Sequence, residues 1–187
     1  MEDIFATLHS GELYLPGDER LMKEQTECLE LLYDYNSTRP KEAEKRRELL
    51  LKMFRKIGEG CYIEPPLHAN WGGKFVSFGK NVYANFGLTL VDDTEISVGD
   101  NTMFGPNVVL ATAQHPLNAA LREQAYQYNA PVRIGKNCWL GAGAIVLPGV
   151  TIGDNAVIGA GAVVSRDIPE NSVALGIPAK VVKKIER

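Results

Sequence analysis

Only three side chains in this 187-residue chain, His9, His68 and His115, carry an imidazole, the group whose unperturbed pKa lies closest to neutral pH. His115 has the most telling surroundings. It stands in TAQHP (112–116), at the root of an irregular stretch that interrupts a regular pattern. A neutral imidazole there can take the proton of an alcohol that is otherwise a poor nucleophile. Taken alone, a loop histidine before a proline is more often a polar surface residue, so the neighbouring elements must decide. The other reactive candidates are thiols. Cys28, Cys61 and Cys138 are odd in number and widely spaced, which fits neither a disulfide framework nor a CxxC metal site, so they read as buried thiols. Cys138 beside Trp139 competes as an acyl carrier, although its place in the repeat favours packing.

The elements that position these residues are set by an internal repeat. From Ile134 the apolar positions recur at Leu140, Val146, Ile152, Ile158 and Val164, in IGKNCW, LGAGAI, VLPGVT, IGDNAV and IGAGAV. Neither the helix period of 3.6 nor a strand alternation of 2 gives this spacing. A coarser register appears in FGKN (78–81), VGDN (98–101), IGKN (134–137) and IGDN (152–155), one corner per coil. The last two lie 18 residues apart. Three hexapeptides therefore make a coil of three short faces, joined by turns in which Gly and Asn tolerate positive φ. From VGDN to IGKN the distance is 36 residues, and only its first half reads as hexapeptides (Val98, Phe104, Leu110), so about one coil's length is inserted after Ala113. A single coil cannot bury its own apolar residues and must stack on its neighbours, which makes a solenoid with capped ends. A sandwich of short strands would space them irregularly.

Ahead of the repeat, residues 20–35 place Leu21, Leu29, Leu32 and Tyr33 at helical spacing, and residues 40–57 repeat the signal with Leu49, Leu50, Met53, Phe54 and Ile57. The spacing predicts two amphipathic helices. Thr38 and Pro40 suit the start of the second, Glu42 and Glu44 its first turn, and Gly58 its end. The expected division is a helical cap over 1–58 and a solenoid over 59–187. Within the latter fall an inserted loop at 114–131 and a C-terminal segment at 167–187, where VVKKI reads as a short strand or turn. A net charge of -3 and a pI near 5.7 give no basic stripe for nucleic acid. No run approaches the roughly 18 apolar residues that cross a bilayer, and residues 1–10 lack a signal-peptide layout, so a cytoplasmic protein is expected.

GELY (11–14), EKR (44–46), IEPP (63–66), FGKNVYANFGLTLVDD (78–93), HP (115–116), NCWLGAGAIVLPGVTIGDNAVIGAGAVV (137–164) and GIPAK (176–180) together resemble the maltose and galactoside O-acetyltransferases, over nearly the whole chain. The resemblance implies a mainly β fold, the left-handed parallel β-helix of hexapeptide-repeat acyltransferases, and a homotrimer with each site between two subunits. It implies direct transfer from acetyl-CoA, without a metal, to a hydroxyl of maltose, glucose or a galactoside, the primary one at carbon 6. His115 would be the base, Asn85 of YAN a second active-site residue, and the Ala142 amide an oxyanion donor. On the acceptor side it points to Asp93, Tyr83, Asn70, Trp71 and Asp18, whose carboxylates and amides can bond sugar hydroxyls and whose rings can stack on a pyranose. For the donor it points to Ala142, Ala160, Ser165, Lys180, Lys183 and Trp139. Small residues let a pantetheine arm lie close to the backbone, and lysines face phosphates as point charges.

Plainer readings stand beside these. Tyr83 and Trp139 also fit packing roles, Asp92 and Asp93 a solvated corner, and the lysines mere solubility. Compared with the galactoside branch, Pro16 replaces an acceptor-binding Asp, with Asp18 placed more like the maltose branch. Asn70 replaces a serine, and Lys180 and Lys183 replace arginines. These departures bear on the acceptor and the phosphates rather than on the reaction. Glu123 in the loop is a candidate to orient His115. Two other enzyme readings share the solenoid. Streptogramin and chloramphenicol acetyltransferases have the loop and the His, but not the helical pair with GELY and IEPP. The gamma-type carbonic anhydrases need three imidazoles at each zinc, including a close pair that is missing here. A non-catalytic scaffold would make His115 dispensable.

Overall fold

The computed structural model describes residues 4–186. The hexapeptide residues Val98, Phe104, Leu110, Ile134, Leu140, Val146, Ile152, Ile158 and Val164 are all buried, and they fill the axis of a left-handed parallel β-helix. Each such side chain contributes roughly 1.5–3 kcal/mol on full burial. The prism has three faces. The first is a five-stranded sheet of Lys56–Ile57, Val76–Phe78, Ile96–Val98, Val132–Ile134 and Thr151–Ile152. The second stacks Tyr62–Ile63, Tyr83–Ala84, Met103–Phe104, Trp139–Leu140, Val157–Ile158 and Ser172–Leu175. Lys180–Lys184 adds to it antiparallel as a seventh strand, the terminal segment expected from VVKKI. The third holds His68–Ala69, Thr89–Val91, Val109–Ala111, Ile145–Val146 and Val163–Val164.

The GKN and GDN corners divide their work differently from the expectation. Only the Asn takes positive φ, at 55° in Asn81, 59° in Asn101, 54° in Asn137 and 59° in Asn155. The Gly is required by close stacking: a Cβ on Gly99 would lie 2.6 Å from the Lys136 nitrogen and 2.7 Å from the Gly135 carbonyl carbon. Three of these Asn side chains donate to the Asn of the next coil, Asn81 to Asn101 at 3.2 Å, Asn137 to Asn155 at 3.0 Å and Asn155 to Asn171 at 2.9 Å. The middle residue matters where it is Asp. Asp100 accepts from the Lys80 N–H and Asp154 from the Lys136 N–H, both at 2.8 Å.

The cap has three helices, α1 (Ile4–Ser10), α2 (Glu19–Asn36) and α3 (Ala43–Met53). Helix α1 lies outside the expected pair, being a short segment with only Leu8 buried. Helix α3 is shorter than the apolar spacing over 40–57 suggests. Thr38 closes α2 instead of opening α3, donating to the Tyr35 carbonyl at 2.7 Å, and the Glu42 carboxylate turns back to the Arg39 N–H at 2.6 Å. At the other end Lys56–Ile57 leaves the helix to pair with Ser77 and Phe78 as the first strand of the solenoid. Gly58 is there for stacking, since its Cβ would sit 2.2 Å from the Gly79 carbonyl oxygen. In the inserted stretch, Ala113–Gln114 and Tyr128–Asn129 form an antiparallel pair, and the tip carries α4 (Ala119–Glu123), capped by the Asn118 side chain.

Candidate active site

His115 leaves the antiparallel root of the loop with its side chain exposed, and its Nδ1 lies 3.0 Å from the carbonyl oxygen of Tyr126. A carbonyl can only accept. Nδ1 therefore carries the hydrogen, and Nε2 keeps the lone pair that a general base needs. The group that orients His115 is thus a backbone carbonyl across the loop, and not the carboxylate of Glu123.

The neighbouring residue Gln127 holds that carbonyl in place. It forms a two-way backbone bridge with Tyr14, 2.8 Å and 3.0 Å, which ties the loop to the cap. The Gln127 Nε2 lies 2.7 Å from the Tyr14 hydroxyl, 3.1 Å from Asn129 Oδ1 and 3.2 Å from Asp93 Oδ1. Asn129 donates to the Leu8 carbonyl and to the Tyr14 hydroxyl, both at 3.0 Å. Asn70 donates to Asp93 Oδ2 at 2.9 Å. Asp93 is buried within this network, so the solvated-corner reading is corrected. Burial pushes the Tyr14 hydroxyl up to about 12 and keeps it protonated. Neighbouring Asp92 is wholly buried and accepts from the Trp71 and Gly73 N–H groups at 2.8 and 2.9 Å. Burial raises its carboxyl to about 7 against the pull of those two bonds.

Two other acceptor candidates have structural occupations. Trp71 is buried with Leu8, Tyr14, Leu21 and Phe75, so its ring offers no open face for a sugar. Asp18 is the N-cap of α2: its Oδ1 accepts from the Arg20 N–H at 2.9 Å, and its two oxygens also hold the Arg20 guanidinium at 3.0 and 2.8 Å. Cys138 is fully buried, and burial pushes its thiol up, so it is no acyl carrier. Cys28 and Cys61 are only half-buried.

Asn85, Ala142 and Ala160 lie along a different edge, where the second face turns into the third. The Asn85 N–H bonds the Phe104 carbonyl, Gly105 bonds Leu140 and Gly141 bonds Ile158, so these corner residues stack coil upon coil. At strand spacing, Asn85 and Ala142 are separated by about 10 Å along the axis. Ala142 and Ala160 are exposed, and their amides find no acceptor among the described residues. Next to them Gly143 and Gly161 take positive φ with open space where a Cβ would be. Asn85 accepts from the Phe86 N–H at 2.9 Å. Beside this edge Tyr83 stacks on Tyr62 at 6.4 Å, and Trp139 is 54% exposed.

The sequence-predicted set is therefore split. His115, Asp93, Asn70 and Ser165 follow third-face strands, Asn85, Ala142 and Ala160 precede them, and Lys180 and Lys183 lie exposed on the terminal hairpin. Within one chain the third face separates the two edges, roughly six extended residues or about 20 Å. Sequence reasoning missed Tyr14, Tyr126, Gln127 and Asn129. Polar residues in a loop look solvated, and a carbonyl has no letter of its own; only the alternation of Gln127 and Asn129 hinted at an inward face. No cluster of three His, Cys, Asp or Glu side chains suited to a metal occurs among the described residues.

Residues 8–58 match the family model of the maltose acetyltransferase hexapeptide capping motif, and residues 131–166 that of the hexapeptide repeat of succinyl-transferase. The galactoside O-acetyltransferase of Lactococcus lactis is 56% identical over 181 residues, spanning 97% of this chain and 87% of that protein. This chain belongs to the galactoside and maltose O-acetyltransferase family. Within that family, the crystal structure of a maltose O-acetyltransferase from Clostridium difficile 630 superposes with a TM-score of 0.96 at 43% identity, over 98% of this chain and 97% of the other. A galactoside acetyltransferase solved in complex with coenzyme A gives 0.95 at 40% identity, over 100% and 92%. The O-acetyltransferase likeness thus runs through cap, solenoid and loop together.

Proposed function

We propose that this O-acetyltransferase moves the acetyl group of acetyl-CoA to the carbon-6 hydroxyl of maltose, glucose or a galactoside, with His115 as general base. The observation that carries the reading is the Nδ1 contact to the Tyr126 carbonyl, which leaves Nε2 as the accepting nitrogen. Nε2 takes the hydroxyl proton as the sugar oxygen bonds to the thioester carbon. The Ala142 N–H faces the oxyanion that develops, and Asn85 stands on the same edge. As the intermediate collapses, the C–S bond breaks and the imidazolium returns its proton to the departing sulfur.

Ala142 and Ala160 give a donor room along the open edge, with Ser165, Trp139, Lys180 and Lys183 assigned to the remainder of coenzyme A. Asp93, Asn70 and Tyr83 are assigned to the sugar. Asp18 and Trp71 act through the cap, by capping the start of α2 and filling the small core. The split of the set over two edges supports a homotrimer in which His115 of one copy meets Asn85 and Ala142 of the next. An exposed apolar ladder on the second face, Tyr62, Tyr83, Met103 and Trp139 in register, supports close packing there as well. Among the described residues no helix is long and apolar enough to cross a membrane. The cytoplasmic placement rests on the donor, a metabolite of that compartment.

The test is release of free CoA thiol from acetyl-CoA, with maltose, glucose, galactosides and chloramphenicol as acceptors, on wild type and His115→Ala. Turnover of a sugar that falls roughly a hundredfold or more in the variant is expected. Turnover of chloramphenicol alone would favour the xenobiotic reading, and equal rates in both proteins would remove His115 from the mechanism.

A further inference from the structure

A cavity of about 510 Å³ lies between α3 and the first coil, far along the axis from Ala160 and the terminal hairpin. Its accessible apolar lining is Leu51 and Ile57, with Leu50 and Ile63 buried behind them, and beside these stands Arg46, a cation only 7% exposed. No carboxylate pairs with Arg46 within 4.0 Å among the described residues, and its partners are neutral oxygens. Nε donates to Thr38 Oγ1 at 2.8 Å, Nη1 to the Tyr62 hydroxyl at 3.0 Å and Nη2 to the Thr38 carbonyl at 3.4 Å. A guanidinium has five N–H donors, so each terminal nitrogen keeps one unspent. Two such donors are what a carboxylate takes in a forked pair.

Nearby acids do not supply that partner. Glu42 is turned to the Arg39 N–H, and Glu64 is reached only through the Tyr62 hydroxyl, 3.4 Å from it. Glu44 and Glu59 line the cavity from exposed positions, as does Arg47, so the rim carries both signs while the buried charge is positive. Arg46 acts on the Glu42 carboxylate through space, but no carboxylate touches its free N–H groups, and an anion that reaches a buried cation directly is attracted more strongly than at the surface.

We propose that this cavity is a second ligand site, for a small organic carboxylate with an apolar body. The carboxylate forks onto Arg46, and the body lies against Leu51 and Ile57.

Sodium benzoate is a suitable probe, with benzamide as its uncharged counterpart, in isothermal titration of the whole protein. Benzoate should bind saturably with a Kd of about 1 mM or tighter, equally with or without saturating coenzyme A, while benzamide binds at least tenfold more weakly. Arg46→Met should abolish the binding. Because that change leaves Thr38 and Tyr62 unpaired and can cost folding, Ala43→Trp provides the second arm. It places bulk on an exposed residue of the cavity lining, leaves the guanidinium intact and should weaken benzoate at least tenfold. No saturable binding, displacement by coenzyme A, benzamide binding as well as benzoate, or undiminished affinity in Ala43→Trp would each overturn the proposal.

Discussion

The proposed base His115 is oriented by an atom that belongs to another residue's backbone, and this sets what single substitutions should do. The Tyr126 carbonyl fixes the tautomer, while Gln127 fixes Tyr126 through Tyr14, Asn129 and Asp93. Gln127→Ala should therefore lower kcat about tenfold by loosening the ring, with sugar KM changing less, as read by steady-state kinetics. A large KM effect at constant kcat would instead place Gln127 at the sugar. Asp92 makes a separate prediction. Burial holds its carboxyl at about 7, above the ordinary 3.8, so the folded chain retains a proton that the unfolded chain releases across that window. The contribution to stability falls as pH rises from about 4 to 7 and is level above. Thermal melts should show wild type losing ground against Asp92→Asn between about pH 4 and pH 7, whereas parallel curves would deny the raised carboxyl. The places of His115, Asn85 and Ala142 in the fold, at the loop root and at the coil corners, were legible because motif and repeat phase coincide there. Trp71 misled because an aromatic beside Asn70 reads as a sugar platform, whereas the corner turns that ring inward against Tyr14 and Phe75.

At the scale of elements the coil was readable almost residue by residue, since one inward apolar side chain in six leaves a period that no helix or isolated strand produces. The corners were readable as turns, but not for the right reason at Gly. Coil stacking puts the Gly99 Cβ position against the backbone of the following corner. Gly99→Ala should cost about 1–3 kcal/mol, as overpacking does, seen as a lower denaturant midpoint. A loss no greater than a few tenths would mean that the coils can spread. The cap was less legible. The apolar spacing runs through Phe54 to Ile57, yet the chain exchanges helix for strand pairing at Lys56, a tertiary preference that local propensity does not carry. Helix α1 owes its place to Leu8, and its burial beside Trp71 depends on chain more than sixty residues away.

For the whole molecule, the two edges of the prism pose the main question, because the proposed base and the proposed oxyanion edge lie on opposite sides of the third face. The proposed site shared between copies of a cyclic trimer would resolve this, and it has a consequence that no single-chain site shares. His115→Ala and Asn85→Ala should each be nearly inactive alone. When the two are assembled into mixed oligomers in equal amounts, random pairing places an intact His115 opposite an intact Asn85 in about a quarter of the sites. The measurement is CoA release by such mixed oligomers against the two separate variants, with mixing verified by mass. Recovery of about a quarter of the wild-type rate is predicted. Mixed oligomers that remain as inactive as either parent would contradict the shared site, and with it the placement of His115 against Asn85.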